Sequence, residues 1–140
     1  MLRLTSDAEL ERAWPVMSQL RPHLTEESFK ALVRLAEEKE EYRLFALQED
    51  GEFVALCGVM PMITLYYDCC LWVCDLVTDE RLRSQGFGRR LLAGVEEWAR
   101  ENGYRQISLS SGVQRLDAHR FYERQMAYTR GSYQFIKQLY

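Results

Sequence analysis

Arg83-Ser84-Gln85-Gly86-Phe87-Gly88 stands where a strongly apolar segment, Leu71 to Thr78, hands over to an amphipathic helix. The stretch fits R-x-x-G-x-G, and its position is the address of an anion. Two glycines let the backbone pass close to a ligand and reach dihedrals closed to other residues. The free N–H groups and positive dipole end of the new helix point at whatever sits there, and a diphosphate fits best. The usual nucleotide fingerprints fail. Read as G-x-G-x-x-G, the run from Gly86 puts bulky Leu91 where helix-strand packing requires Gly or Ala, and there is no G-x-x-x-x-G-K-[ST]. A lone G-x-G is more often a plain strand-to-helix turn; the Arg83 spacing, the strand before and the helix after reverse that preference.

Outward from this turn, Leu91, Leu92, Val95, Trp98 and Ala99 give the helix a buried face, and Asn102-Gly103 closes it. Arg105 to Ser110 alternates Ile107 and Leu109 with polar neighbours and reads as a strand pairing in parallel through that helix. A short helix over Leu116 to Gln125 and a final strand, or strand pair around Gly131, over Tyr128 to Leu139 complete the chain. Upstream, Leu2 to Leu4 is strand-like, and Ser6-Asp7-Ala8-Glu9 is a capping box. It opens a helix carrying Leu10, Ala13, Trp14 and Met17, which Pro15 is expected to kink or split. Thr25 caps a second helix with Phe29, Leu32, Val33 and Ala36 in one stripe. Tyr42 to Gln48 and Glu52 to Met60 are strands joined by Asp50-Gly51, a tight-hairpin signal, and Leu65 to Thr78 follows. The order β-α-α-β-β-β-α-β-α-β predicts an α+β or mixed α/β fold with helices on both faces of the sheet.

Asp75 to Gly88 resembles the acetyl-CoA-binding motif of the GNAT N-acetyltransferase superfamily, and Ala118-His119-Arg120-Phe121-Tyr122-Glu123 resembles that superfamily's A-x-x-F/L-Y-E helix. Ser111, Arg115 and Ala118 to Tyr122 are nearest in flavour to the aminoalkylphosphonate N-acetyltransferase type. The resemblance implies the GNAT fold, a mostly antiparallel sheet whose fourth and fifth strands, here Leu71 to Thr78 and Arg105 to Ser110, splay apart. It implies acetyl-CoA as cosubstrate, its pantetheine arm against the backbone of Leu76, Val77 and Thr78. Its pyrophosphate would rest on Arg83, Ser84, Gln85, Gly86, Phe87 and Gly88, with Arg89 beside them. It implies that Tyr122 delivers a phenol towards the coenzyme sulfur. Arg115 stands where many members have Asn, and Met126 where the usual Gly falls.

At 140 residues, 47% hydrophobic and 28% charged, the chain is expected to be one domain over residues 1 to 140. A net charge of −3 gives no field for nucleic acid or an anionic membrane, so Arg83, Arg89 and Arg90 matter as a local patch. Without an apolar run near the ~20 residues of a membrane span, or a cationic and apolar leader, the protein is expected in the cytoplasm. Cys57, Cys69, Cys70 and Cys74 lack zinc-ribbon spacing and read as reduced, mostly buried thiols. With no acidic pair or H-x-x-x-H at ligand spacing, no metal is expected. The partner expected is a small-molecule amine, and a homodimer stays open.

Acetyl transfer to an amine needs a neutral amine, a polarised carbonyl and a proton for the departing thiolate. Tyr122 supplies that proton in one reading and packs beside Phe121 in the other. Asp75 takes the ammonium proton or holds the substrate's cation; a cap or ion-pair partner is the even alternative. Arg115 meets an anionic group of the substrate or is a surface charge, and His119 is a helix histidine before it is a base. An enzyme acetylating a small primary amine stands against a non-catalytic acyl-CoA-binding sensor and against a protein or peptide acetyltransferase. The acceptor side is set by the first two helices and their Arg21-Pro22-His23 link.

Overall fold

The computed structural model describes residues 1–140 in two compact units, Met1–Leu109 and Ser110–Tyr140. In the first unit, strands β1 (Leu2–Leu4), β2 (Arg43–Glu49), β3 (Glu52–Thr64), β4 (Asp68–Thr78) and β5 (Gln106–Leu109) form one sheet in sequence order. The first three pairings are antiparallel and β4 with β5 is parallel. A parallel neighbour requires a crossover, and helix α3 (Phe87–Glu101) supplies it.

Both faces of the sheet are covered. Along β2, Leu44 and Ala46 join the core formed with helices α1 (Asp7–Leu20) and α2 (Glu26–Glu40). Phe45 between them packs on Trp98 of α3, ring centroids 5.2 Å apart. Period-two alternation sends neighbours to opposite faces, and here both faces are dry, so Leu44 to Leu47 are all buried. Ser6 and Glu9 close the expected capping box on α1, and Thr25 with Ser28 closes one on α2. Asp50 (φ 51°) and Gly51 (φ 79°) turn the β2-β3 hairpin, as a tight two-residue loop with both φ positive does.

Several expectations are corrected. Pro15 does not split α1, which runs unbroken from Asp7 to Leu20. The ring removes one ladder hydrogen bond, while Ala13, Val16 and Met17 around it stay buried, and that burial offsets a cost of about 3 kcal/mol. β3 runs past Pro61 to Thr64, and Leu65 to Tyr67 form the turn instead of opening β4. Pro61 is tolerated because β2 begins opposite Val59, leaving that side of β3 without a partner. Leu32, expected in the α2 stripe, is exposed.

The second unit contains helix α4 (Leu116–Arg120), continuing as a π-helical turn over Phe121–Gln125 rather than as α-helix. The final strand expected over Tyr128 to Leu139 is absent. Residues 127–140 form no regular element, and Tyr133, Phe135, Ile136 and Leu139 are exposed. Alternation marks a strand candidate, but a strand exists only where a neighbour satisfies its backbone groups, and no ladder reaches this segment. No helix is long and apolar enough to cross a membrane.

Candidate active site

The β4-β5 ladder joins Cys70 to Val73 with Gln106 to Leu109 and ends there. At the same point the β3 register slips: Val59 faces Val73 but Gly58 faces Asp75, so Cys74 has no partner. Such a bulge bends and overtwists its strand, and β5 itself ends at Leu109, so β4 after Val73 has no parallel partner. From Asp75 to Thr78, β4 is paired with β3 alone. Alternate residues of an antiparallel strand turn N–H and C=O away from the partner, so the stretch holding Leu76, Val77 and Thr78 offers unpaired backbone on its open side.

The start of α3 lies against the end of this stretch. A Cβ on Gly88 would fall 2.9 Å from Thr78 Oγ1, so any larger residue would have to displace that hydroxyl. Gly86 has φ 83°, in the left-handed region, with nothing within 4 Å of where a Cβ would be. Its requirement is conformational, and the space beside it is open. The first hydrogen bond of α3 runs from Arg90 N–H to the Gly86 carbonyl, 3.0 Å, and no side chain caps the helix. The N–H groups of Phe87, Gly88 and Arg89 therefore lie outside the ladder at the positive end of the dipole. Arg90 is drawn off to Glu49 (2.7 Å), whereas Arg83 and Arg89 are exposed. Of the three clustered arginines, two remain for an anion.

The loop into the turn is pinned by residues that sequence reasoning passed over. Asp79 is 3% exposed. It accepts from Arg81 N–H (3.1 Å) and from the Arg81 guanidinium (2.7 Å), and the Arg81 hydrogen bond holds its carboxyl down at about 2. Gln19 of α1 accepts from Glu80 N–H at 2.8 Å. The Asp79 cap has a local signal, an Asp opening a turn; the Gln19 contact spans 61 residues and has none.

Asp75 directly follows the bulge and is well supplied with donors. Arg21 gives Nε (3.1 Å) and Nη2 (2.9 Å) to Oδ1, and Nη2 also donates to the Cys74 carbonyl (3.0 Å). The Tyr42 hydroxyl donates to Oδ2 at 2.8 Å. Burial and the Asp75 charge push the Tyr42 phenol well above its ordinary value, keeping it a donor. The same two causes push the Cys74 thiol up to about 12, and burial leads in raising Cys57. All four cysteines are free, Cys57 and Cys70 buried; the raised Cys57 and Cys74 thiols are not ready nucleophiles. No group of three or more His, Cys, Asp or Glu is placed to hold a metal ion.

In the second unit, Tyr122 lies in the π-helical turn, its ring 5.3 Å from Phe121 and 5.9 Å from Tyr128. Its carbonyl accepts from Tyr128 N–H (2.8 Å). One extra residue per turn re-aims side chains, and such turns recur at functional sites. Arg115 stands at the N-terminal end of α4, exposed, beside a shallow open depression shared with Gln114, Leu116, Asp117, Ala118 and Arg120. His119 Nε2 is 2.9 Å from the Gly112 carbonyl, while its Nδ1 and Ser111 Oγ are buried without hydrogen-bond partners.

The family model described as "Acetyltransferase (GNAT) family" matches residues 8–128. The chain is 44% identical over 137 residues to the uncharacterised N-acetyltransferase YhdJ of Bacillus subtilis, covering 98% of this chain and 96% of that protein. It is 37% identical over 101 residues to the aminoalkylphosphonate N-acetyltransferase of Salmonella typhimurium, covering 70% of this chain and 62% of that one. The solved structure of AAC(6')-Iy with the bisubstrate analogue CoA-S-monomethyl-acetylneamine superposes with a TM-score of 0.84 at 13% identity, over 98% of this chain and 95% of that one. The chain belongs to the GNAT family and is an acetyltransferase.

Proposed function

We propose that the protein, acting as a single domain over residues 1 to 140, transfers the acetyl group of acetyl-CoA to the primary amine of a small molecule. One observation carries this reading: the unpaired edge of β4 from Cys74 to Thr78 runs into the bare start of α3. An extended chain of amides suits that edge at Leu76, Val77 and Thr78, as a strand suits an unpaired neighbour. A diphosphate suits the N–H groups around Gly86 to Arg89, with Arg83 and Arg89 as counter-charges and Ser84, Gln85 and Phe87 completing the turn. The coenzyme A analogue in the AAC(6')-Iy structure supports the ligand class, and the amine-acetylating names of the relatives support the reaction.

The amine attacks the thioester carbonyl. A C–N bond forms, and the tetrahedral intermediate collapses with cleavage of the C–S bond. Tyr122 protonates the departing thiolate. The ammonium proton leaves by way of Asp75, directly or through water, and Arg115 meets an anionic group where the acceptor carries one. Following free-thiol release from acetyl-CoA across aminoalkylphosphonates, polyamines, aminoglycosides and amino acids tests this. Turnover of at least one is expected. Acetylation of peptide N-termini alone would move the acceptor to proteins, and tight acetyl-CoA binding with no turnover of any amine would make the domain a sensor.

A further inference from the structure

The acceptor side of the proposed reaction holds a built network whose role goes beyond that reading while resting on it. Arg21 is the residue that ends α1, and its guanidinium grips β4 at two successive residues, the Cys74 carbonyl and Asp75 Oδ1. Cys74 is the bulge residue and lacks a β3 partner, so Arg21 ties down the one point of β4 that the sheet does not. On the other side, Tyr42 reaches Asp75 Oδ2 through a space that only glycine leaves: a Cβ on Gly58 would fall 1.9 Å from the Tyr42 hydroxyl and 2.6 Å from Oδ2. An ionised carboxylate has about four lone-pair sites. Nε, Nη2 and the Tyr42 hydroxyl fill three, and the remaining one is on Oδ2. The Asp75 side chain is 15% exposed and that of Arg21 38%, so the pair is open to solvent mainly at Arg21.

We propose that Arg21 is a positioning residue of the acceptor site, holding the Cys74 bulge and occupying Asp75 Oδ1 so that a single lone pair, on Oδ2, meets the amine or the water that carries its proton. Lysine cannot replace it: one ammonium lacks the fork that serves carboxylate and carbonyl together.

The test uses the full chain with Arg21→Ala and Arg21→Lys. Hydrogen exchange needs no substrate. In Arg21→Ala the Cys74 to Thr78 amides should exchange about tenfold faster, while Cys70 to Val73, laddered on both sides, keep their protection. Unchanged exchange after Cys74 overturns the inference whatever the acceptor is. With an amine that the wild type acetylates, kcat/KM for the amine should fall about 10²-fold, as misplacement of a reacting group costs. The KM for acetyl-CoA should stay within about twofold, and millimolar guanidinium should restore activity in part. A loss shared by both substrates, without rescue, makes Arg21 merely structural and overturns the proposal. Should Arg21→Ala not fold, Arg21→Lys decides: a raised amine KM with acetyl-CoA binding intact supports the proposal, and wild-type kinetics refute it. A wild type inactive on every amine is instead a failure of the proposed function, and the exchange result then decides for Arg21 alone.

Discussion

The two halves of β4 share one strand and do opposite work. Cys70 to Val73 are laddered to β3 on one side and β5 on the other, with Cys70 and Leu71 fully buried. Asp75 to Thr78 are laddered to β3 only, and with Cys74 they carry the Arg21-Asp75-Tyr42 network and the approach to α3. The division falls at one unpaired residue, Cys74. Strength of the sheet and availability of its backbone are thus alternatives: each N–H or C=O used in a ladder is withdrawn from ligands, and a bulge is the least change that switches from one use to the other.

Substitutions should separate the halves, the open one losing chemistry or affinity and the closed one stability. The largest effect is expected at Tyr122→Phe, which removes only the hydroxyl proposed to protonate the departing thiolate. Its kcat should drop 10²-fold to 10⁴-fold, about 3 to 5 kcal/mol of barrier, with acetyl-CoA affinity and melting temperature nearly unchanged. Wild-type rates in single turnover would make Tyr122 a packing residue. Next, Leu71→Ala in the closed half should cost about 2 to 5 kcal/mol of unfolding free energy in urea, since Leu71 is 0% exposed and a cavity remains. Its Kd for acetyl-CoA should not move, and a shifted Kd in the folded variant would show that the halves are not separable.

Smaller still, Gly86→Val forces a β-branched residue to φ 83°, a strain of roughly 1 to 3 kcal/mol. Calorimetry should record weakened acetyl-CoA binding; unchanged affinity in a folded variant would remove the helix start from the site. The smallest effect concerns pH. The carboxyl of Asp79 is lowered from 3.8 to about 2 by Arg81. Its stabilisation is therefore complete above about pH 4 and is lost as pH falls through 2. With Arg81 79% exposed, water screens the pair, and on the order of 1 kcal/mol is expected. Unfolding free energy measured from pH 5 to 2 should fall less steeply in Asp79→Asn than in the wild type; parallel curves would show that the pair does not fasten the loop after β4.

Local chemistry was legible in the chain. The Ser6 and Thr25 caps, the Asp50-Gly51 turn, the positive φ of Gly86 and the parallel entry of β5 after α3 each depend on residues a few positions apart or on one helical period. The glycine turn and Tyr122 were therefore nameable as candidates. The partners of Asp75 were not, because Arg21 and Tyr42 lie 54 and 33 residues away in sequence, and neither has a motif that announces its target. The π-helical turn at Tyr122 hid behind an ordinary helical pattern. The alternation of Tyr128 to Leu139 promised a strand that no neighbour completes.

By itself the sequence determined the order of elements from β1 to α4, the family resemblance and the glycine turn that opens α3, since backbone dihedral limits and side-chain periodicity act over one or two turns of chain. Only the tertiary structure decided where β4 stops being core and becomes an open edge, and that three donors meet Asp75 there. Register, bulges and long-range hydrogen bonds depend on which strands and helices become neighbours, and that choice is made by the packing of the whole unit rather than by any one segment.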